Sequence, residues 1–276
     1  MRCTPEPLRP RSSTDTHSGR LRRSQTLLLP LEENRHLRHP LTVLVAVVPA
    51  ALVAELFRFL APLDEALITD ATVLRLSEEA GLSVPILMPI VLLLGCLGVQ
   101  LLWYRDWRWP SLGTLSQILA WGLVWSVVRL VVGITSGALN PDMVASDQMP
   151  GLLDPRAGHE LNLLNIVGLA FSGAVHEEVL FRAIGIGGLA VLLLPFRLPW
   201  RLAQYCCLPL ATAAFAMAHS DIINHAAASP APEWDLLVQH GVAGALYGII
   251  FIRQGLAVAI WAHCLYNVAL GLGVAI

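Results

Sequence analysis

The chain has 276 residues, 55% of them hydrophobic and only 14% charged, with a formal net charge of −2. Soluble domains carry about 25% charged residues, so this composition excludes an ordinary soluble domain. The slight negative balance also gives no sign of a nucleic-acid partner. The expectation is an all-α, polytopic transmembrane helical bundle of about seven to eight spans, with the lipid bilayer as its solvent. Every basic Lys/Arg position is an arginine, which points to a GC-rich, bacterial coding sequence and so to the inner (plasma) membrane. The five cysteines, Cys3, Cys96, Cys206, Cys207 and Cys264, have neither metal nor disulfide spacing and read as small apolar residues in helices.

Residues 1–40 are rich in Arg, Ser, Thr and Pro and read as a disordered tail. The first 26 residues hold no apolar h-region, so no signal peptide is expected. Eight arginines (Arg2, Arg9, Arg11, Arg20, Arg22, Arg23, Arg35 and Arg38) precede the first span and predict a cytoplasmic N-terminus. Residues 41–160 read as N-terminal transmembrane helices of unassigned role. Span 1, Leu41 to Ala61, carries Glu55 and Arg58, three apart and able to pair. An acidic loop follows, then span 2 from Pro85 to Tyr104, ending in Arg105-Asp106-Trp107-Arg108-Trp109. Span 3, Leu112 to Thr135, contains Arg129, which at bilayer depth needs an acidic or carbonyl partner.

Residues 161–276 hold the chemistry. Leu161 to Leu194 would make a helix of about 51 Å, against a hydrocarbon core of about 30 Å. A kink, a tilt or a break is therefore expected, with Gly173, Gly185, Gly187 and Gly188 permitting it. Glu177 and Glu178 fall in the middle of this run. Glu178 and Arg182 are four apart and can pair along one helix face, while Glu177 points about 100° away. Span 5 runs from Leu202 past Phe215 and His219, span 6 from Trp234 to Ile252, and span 7 from Leu256 to Ile276 with His263 and Asn267 four apart. Spans 5 and 7 would be parallel, yet His219 sits late in one and His263 early in the other. Tilt, or a start at Pro209, would bring them level.

Three apolar segments thus each carry polar groups that can meet in one cavity. Peptide hydrolysis needs an activated water and donors for the oxyanion. Glu177 fits a general base, with His219 helping to hold the water. His263 and Asn267 carry N–H donors suited to a tetrahedral oxyanion. Ser172 and Ser220 lie near the motifs without the pattern of a serine nucleophile. A zinc site would use Glu177, His219 and His263. His176-Glu177 does not open a zincin helix, because Leu180 stands where the second histidine would be. Lone histidines such as His225 and His240 read as structural.

Glu-Glu-x-x-x-Arg at 177–182, Phe-x-x-x-His at 215–219 and His-x-x-x-Asn at 263–267 resemble the three motifs of the CPBP intramembrane proteases. That family includes the type 2 CAAX prenyl proteases and the bacteriocin-processing or immunity proteins. Ala183 stands where a glycine is usual. The resemblance covers Leu161 to Ala275 and implies an intramembrane endopeptidase acting on a membrane-associated peptide or protein. It implies Glu177 and His219 activating water, His263 and Asn267 forming the oxyanion hole, and Glu178, Arg182 and Phe215 in support. A glutamic mechanism without a metal cofactor is the favoured expectation, with a zinc-dependent protease or a non-catalytic membrane scaffold or immunity protein as alternatives.

Overall fold

A computed structural model of the chain describes residues 36–60, 87–104, 107–139, 163–219 and 234–272. Helices account for nearly all of them, and no strand occurs among the described residues. Helices α1 (Pro40–Ala46) and α2 (Val48–Leu60) run on through Val47. Helix α3 (Leu87–Val99) continues as a short π-helix, Gln100–Tyr104, and α4 spans Leu112–Leu139. Helix α5 (Leu163–Glu177) passes directly into a π-helix, Glu178–Gly188, then α6 (Leu189–Leu192) and a 3-10 turn, Leu194–Phe196. Helices α7 (Trp200–His219), α8 (Trp234–Gln254) and α9 (Leu256–Gly271) complete the fold. The all-α expectation holds, with helical segments at each of the seven positions expected to span. Three stretches, Pro40–Phe57, Leu112–Thr135 and Trp200–His219, are long and apolar enough to cross a bilayer by themselves.

Helix α9 is the centre of the bundle. Ala257, Val258, Ala259 and Ile260 are all fully buried, and four consecutive residues cover the whole circumference of a helix. A helix apolar all round belongs in a core. Helices α4, α5 and α8 pack around it. Phe171 of α5 meets Trp261 edge-on at 4.8 Å. The outer face of α4 (Leu119, Leu123, Val127, Val131) is exposed and apolar, as a lipid-facing surface is.

Helices α7 and α8 approach closely because α8 lacks side chains where they touch. A Cβ at Gly248 would overlap Leu208 Cδ1, and one at Gly244 would lie 3.1 Å from Phe215 Cδ1. Small residues at helix contacts are the usual means of close packing in membranes. At the other end of α8, Gly255 turns the chain into α9 with φ of 101°, a conformation that favours glycine. The N-terminal segment is tied to this turn: Arg38 donates to the carbonyl of Arg253. Trp125 of α4 donates to Gln254 Oε1 at 2.9 Å.

Three expectations change. The long fourth run neither breaks nor splits; it widens into the π-helix, whose i→i+5 turns shorten the segment without a gap in helical structure. Helix α7 starts at Trp200, not at Pro209, and carries that proline within it. The expected pairing of Glu55 with Arg58 falls on a side chain outside the described residues, while Glu55 also accepts a 2.8 Å hydrogen bond from Ser172 across 117 positions of sequence. Arg129 lies 4.7 Å above the ring of Tyr266, so an aromatic face stands where an acid or carbonyl was expected. The expectations for residues 1–35, for the acidic loop after span 1, and for Ser220 and His225 lie outside the described residues.

Candidate active site

Glu177 is the last residue of α5 and Glu178 the first of the π-helix. π-Helical turns are rare and concentrate at functional sites. The change of turn separates the two carboxylates. Glu178 is fully buried and lies 3.1 Å from Arg182 Nε, itself 1% exposed. Glu177 stays 17% exposed and faces the histidines. The pairing expected from the four-residue spacing of Glu178 and Arg182 is thus present, with Glu177 turned toward the histidines.

Arg182 is held by more than its carboxylate. Its guanidinium lies 4.4 Å from the Phe215 ring centre and 5.6 Å from that of Tyr247. A buried cation needs this much contact, because desolvation alone would expel it.

His219 closes α7. Its Nδ1–H donates to the carbonyl of Phe215, one turn back, at 2.8 Å. That bond turns Nε2 toward Glu177 Oε2, 3.4 Å away. Phe215 also touches the imidazole of His219, with ring centres 4.3 Å apart. One side chain thus braces both Arg182 and His219.

His263 reaches both glutamates from α9. Its Nδ1 lies 2.9 Å from Glu178 Oε1, and its Nε2 lies 3.7 Å from Glu177 Oε2. Asn267 follows one turn later on the same helix and is half-buried. Glu177, Glu178, Arg182, Phe215, His219 and His263 form one cluster, which removes the tension between spans 5 and 7.

Two further side chains join it that the sequence reading missed. Tyr247 stacks on His263, with ring centres 4.5 Å apart and planes at 15°. His240 stacks on His219 at 4.8 Å and 20°, a specific contact where only a structural histidine was expected. His240, Gly244 and Tyr247 share one face of α8 by helical spacing, with the glycine between two rings. That pattern was the available signal. Ser172 donates to Glu55, and His176 donates through Nδ1 to the Ser172 carbonyl at 2.7 Å. Among the described residues no group of three or more His, Cys, Asp or Glu side chains is disposed to hold a metal ion.

Residues 159–269 match the family of type II CAAX prenyl endopeptidase Rce1-like proteins. Over this segment the chain is similar to the CAAX proteases. Neither the curated proteins nor the solved structures contain a match to the chain. The matched segment holds every residue of the cluster, while α1 to α4 lie outside it. With its apolar helices, the chain is an integral membrane protein.

Proposed function

We propose that the protein is an intramembrane endopeptidase that hydrolyses a peptide bond in a membrane-associated peptide or protein. The observation that carries this reading is the convergence of His219 Nε2 and His263 Nε2 on one oxygen of Glu177, at 3.4 and 3.7 Å, beside a fully buried Glu178–Arg182 pair.

A water bound between Glu177 and His219 loses its proton to the Glu177 carboxylate, and the resulting hydroxide attacks the scissile carbonyl. Charge moves onto the carbonyl oxygen, where His263 Nε2–H and the Asn267 amide donate to it. Glu177 then returns its proton to the departing amine. Nδ1 of His263 faces an acceptor, Glu178, at 2.9 Å. An imidazole that donates from both nitrogens is doubly protonated. Glu178 is then the countercharge of that imidazolium as well as of Arg182.

Base, water-holding group and oxyanion donors all come from the chain, and this supports a mechanism without metal. A zinc-dependent reading uses the same Glu177, His219 and His263. The alternative of a non-catalytic scaffold explains neither imidazole's orientation toward Glu177. The N-terminus is proposed to be cytoplasmic, in a bacterial inner membrane.

The test is a comparison of membrane peptidomes from cells carrying the wild type and the Glu177→Ala variant. Fragments present only with the wild type are expected. Identical peptidomes from the two strains would contradict an endopeptidase.

A further inference from the structure

Among the described residues, Tyr247 is the one aromatic residue that touches His263 face to face. It projects from α8, whereas the two groups that His263 bridges sit on α5 and the π-helix, and His263 itself sits on α9. The stack is nearly parallel, at 4.5 Å and 15°. The same ring lies 5.6 Å from the Arg182 guanidinium. Tyr247 is 1% exposed, and its hydroxyl finds no hydrogen-bond partner among the described residues. The hydroxyl therefore contributes no bond to the arrangement, and what remains is the ring.

A ring face does two things to an imidazole lying flat on it. It fixes the plane, and so fixes where both nitrogens point. It also presents π-electron density to a ring that carries positive charge. Both matter for His263, whose nitrogens must address Glu178 on one side and the reacting oxygen on the other. No hydrogen bond other than that to Glu178 holds the His263 side chain among the described residues. One bond leaves rotation about the Nδ1···Oε1 axis open, and the stacked ring closes it.

We propose that Tyr247 is a positioning residue for His263: its ring face holds the imidazole in the plane that joins Glu178 to the oxyanion position. The proposal rests on the reading of His263 as an oxyanion donor. The requirement is for an aromatic face, not for a phenol. It follows that Tyr247→Phe and Tyr247→Met behave differently, although both lose the hydroxyl and both fill much of the space.

The experiment uses the full-length protein in detergent micelles, labelled with 15N-histidine. The downfield Nδ1–H proton of His263, assigned by its disappearance in His263→Gln, reports the bond to Glu178 directly. It should persist in Tyr247→Phe and be lost or exchange-broadened in Tyr247→Met. Melting temperature is followed in parallel, and Tyr247→Leu replaces Tyr247→Met if the latter does not fold. With the membrane peptide identified from the peptidome comparison as probe, kcat should fall about 10- to 100-fold in Tyr247→Met with KM unchanged, as expected when a reacting group is misplaced by a fraction of an ångström. Tyr247→Phe should restore kcat to within a few-fold of wild type. A folded Tyr247→Met protein that keeps both the resonance and kcat overturns the proposal, as does a folded Tyr247→Phe protein that loses them. If instead Glu177→Gln still cleaves while the resonance responds as expected, the catalytic reading fails and the positioning by Tyr247 stands.

Discussion

His263 Nδ1 lies 2.9 Å from Oε1 of Glu178, the carboxylate next in sequence to the proposed base. Glu178 therefore has two cationic partners in the proposed active state, Arg182 and His263, and is fully buried between them. Its replacement strands both. Glu178→Gln should lose about 3–5 kcal/mol of stability, the range for breaking a buried ion pair. Thermal unfolding in detergent checks this, with a markedly lower melting temperature and less folded protein expected.

His219 offers the opposite separation. Its ring is packed by Phe215 and His240, and its Nε2 faces Glu177. His219→Phe keeps a ring in the stack and removes the nitrogen. The variant should keep wild-type melting behaviour while its cleavage rate falls by about 10²- to 10⁴-fold, the range for a positioned proton-handling group. Cleavage and melting measured on one preparation separate the two effects.

Ser172 tests how far α2 belongs to the protease body. Its hydroxyl, within the matched segment, donates to the buried carboxylate of Glu55, which lies outside that segment on α2. Ser172→Ala should cost about 1.5–3 kcal/mol, as for a hydrogen bond to a charged group. It should leave the cleavage rate per folded molecule unchanged. A rate loss larger than the loss of folded protein would give Ser172 or Glu55 a catalytic part.

The glutamate pair, the two histidine motifs and the span positions were legible in the sequence because each depends on local helical spacing. Glu178 and Arg182 meet because residues four apart share a face. What escaped the sequence depends on contacts between distant segments. Nothing local marks Glu55 as a partner of Ser172, 117 residues on. Tyr247 escaped because its role comes from α9 packing flat against it, which no single-helix pattern encodes. The π-helix was visible only as excess length. Glycines Gly185, Gly187 and Gly188 signalled irregularity there without specifying widened turns.

Metal dependence follows from the source of the base and donors. With Glu177, His219 and His263 acting as protein groups, purified enzyme should hold no stoichiometric zinc and should keep its cleavage rate after chelator treatment. Activity lost to chelator and restored by zinc would transfer the same three residues to the role of metal ligands.

The proposed mechanism stands on Glu177 as the base, and Glu177→Gln removes that base. The substitution keeps size and hydrogen-bonding capacity and removes the carboxylate that both Nε2 atoms face. The rate of peptide cleavage by the purified variant, measured beside its melting temperature in detergent, is the decisive quantity. The variant should insert and melt like the wild type and cleave about 10²- to 10⁴-fold more slowly. Near-wild-type cleavage by a folded Glu177→Gln protein would contradict that mechanism and move the role of base to Glu178.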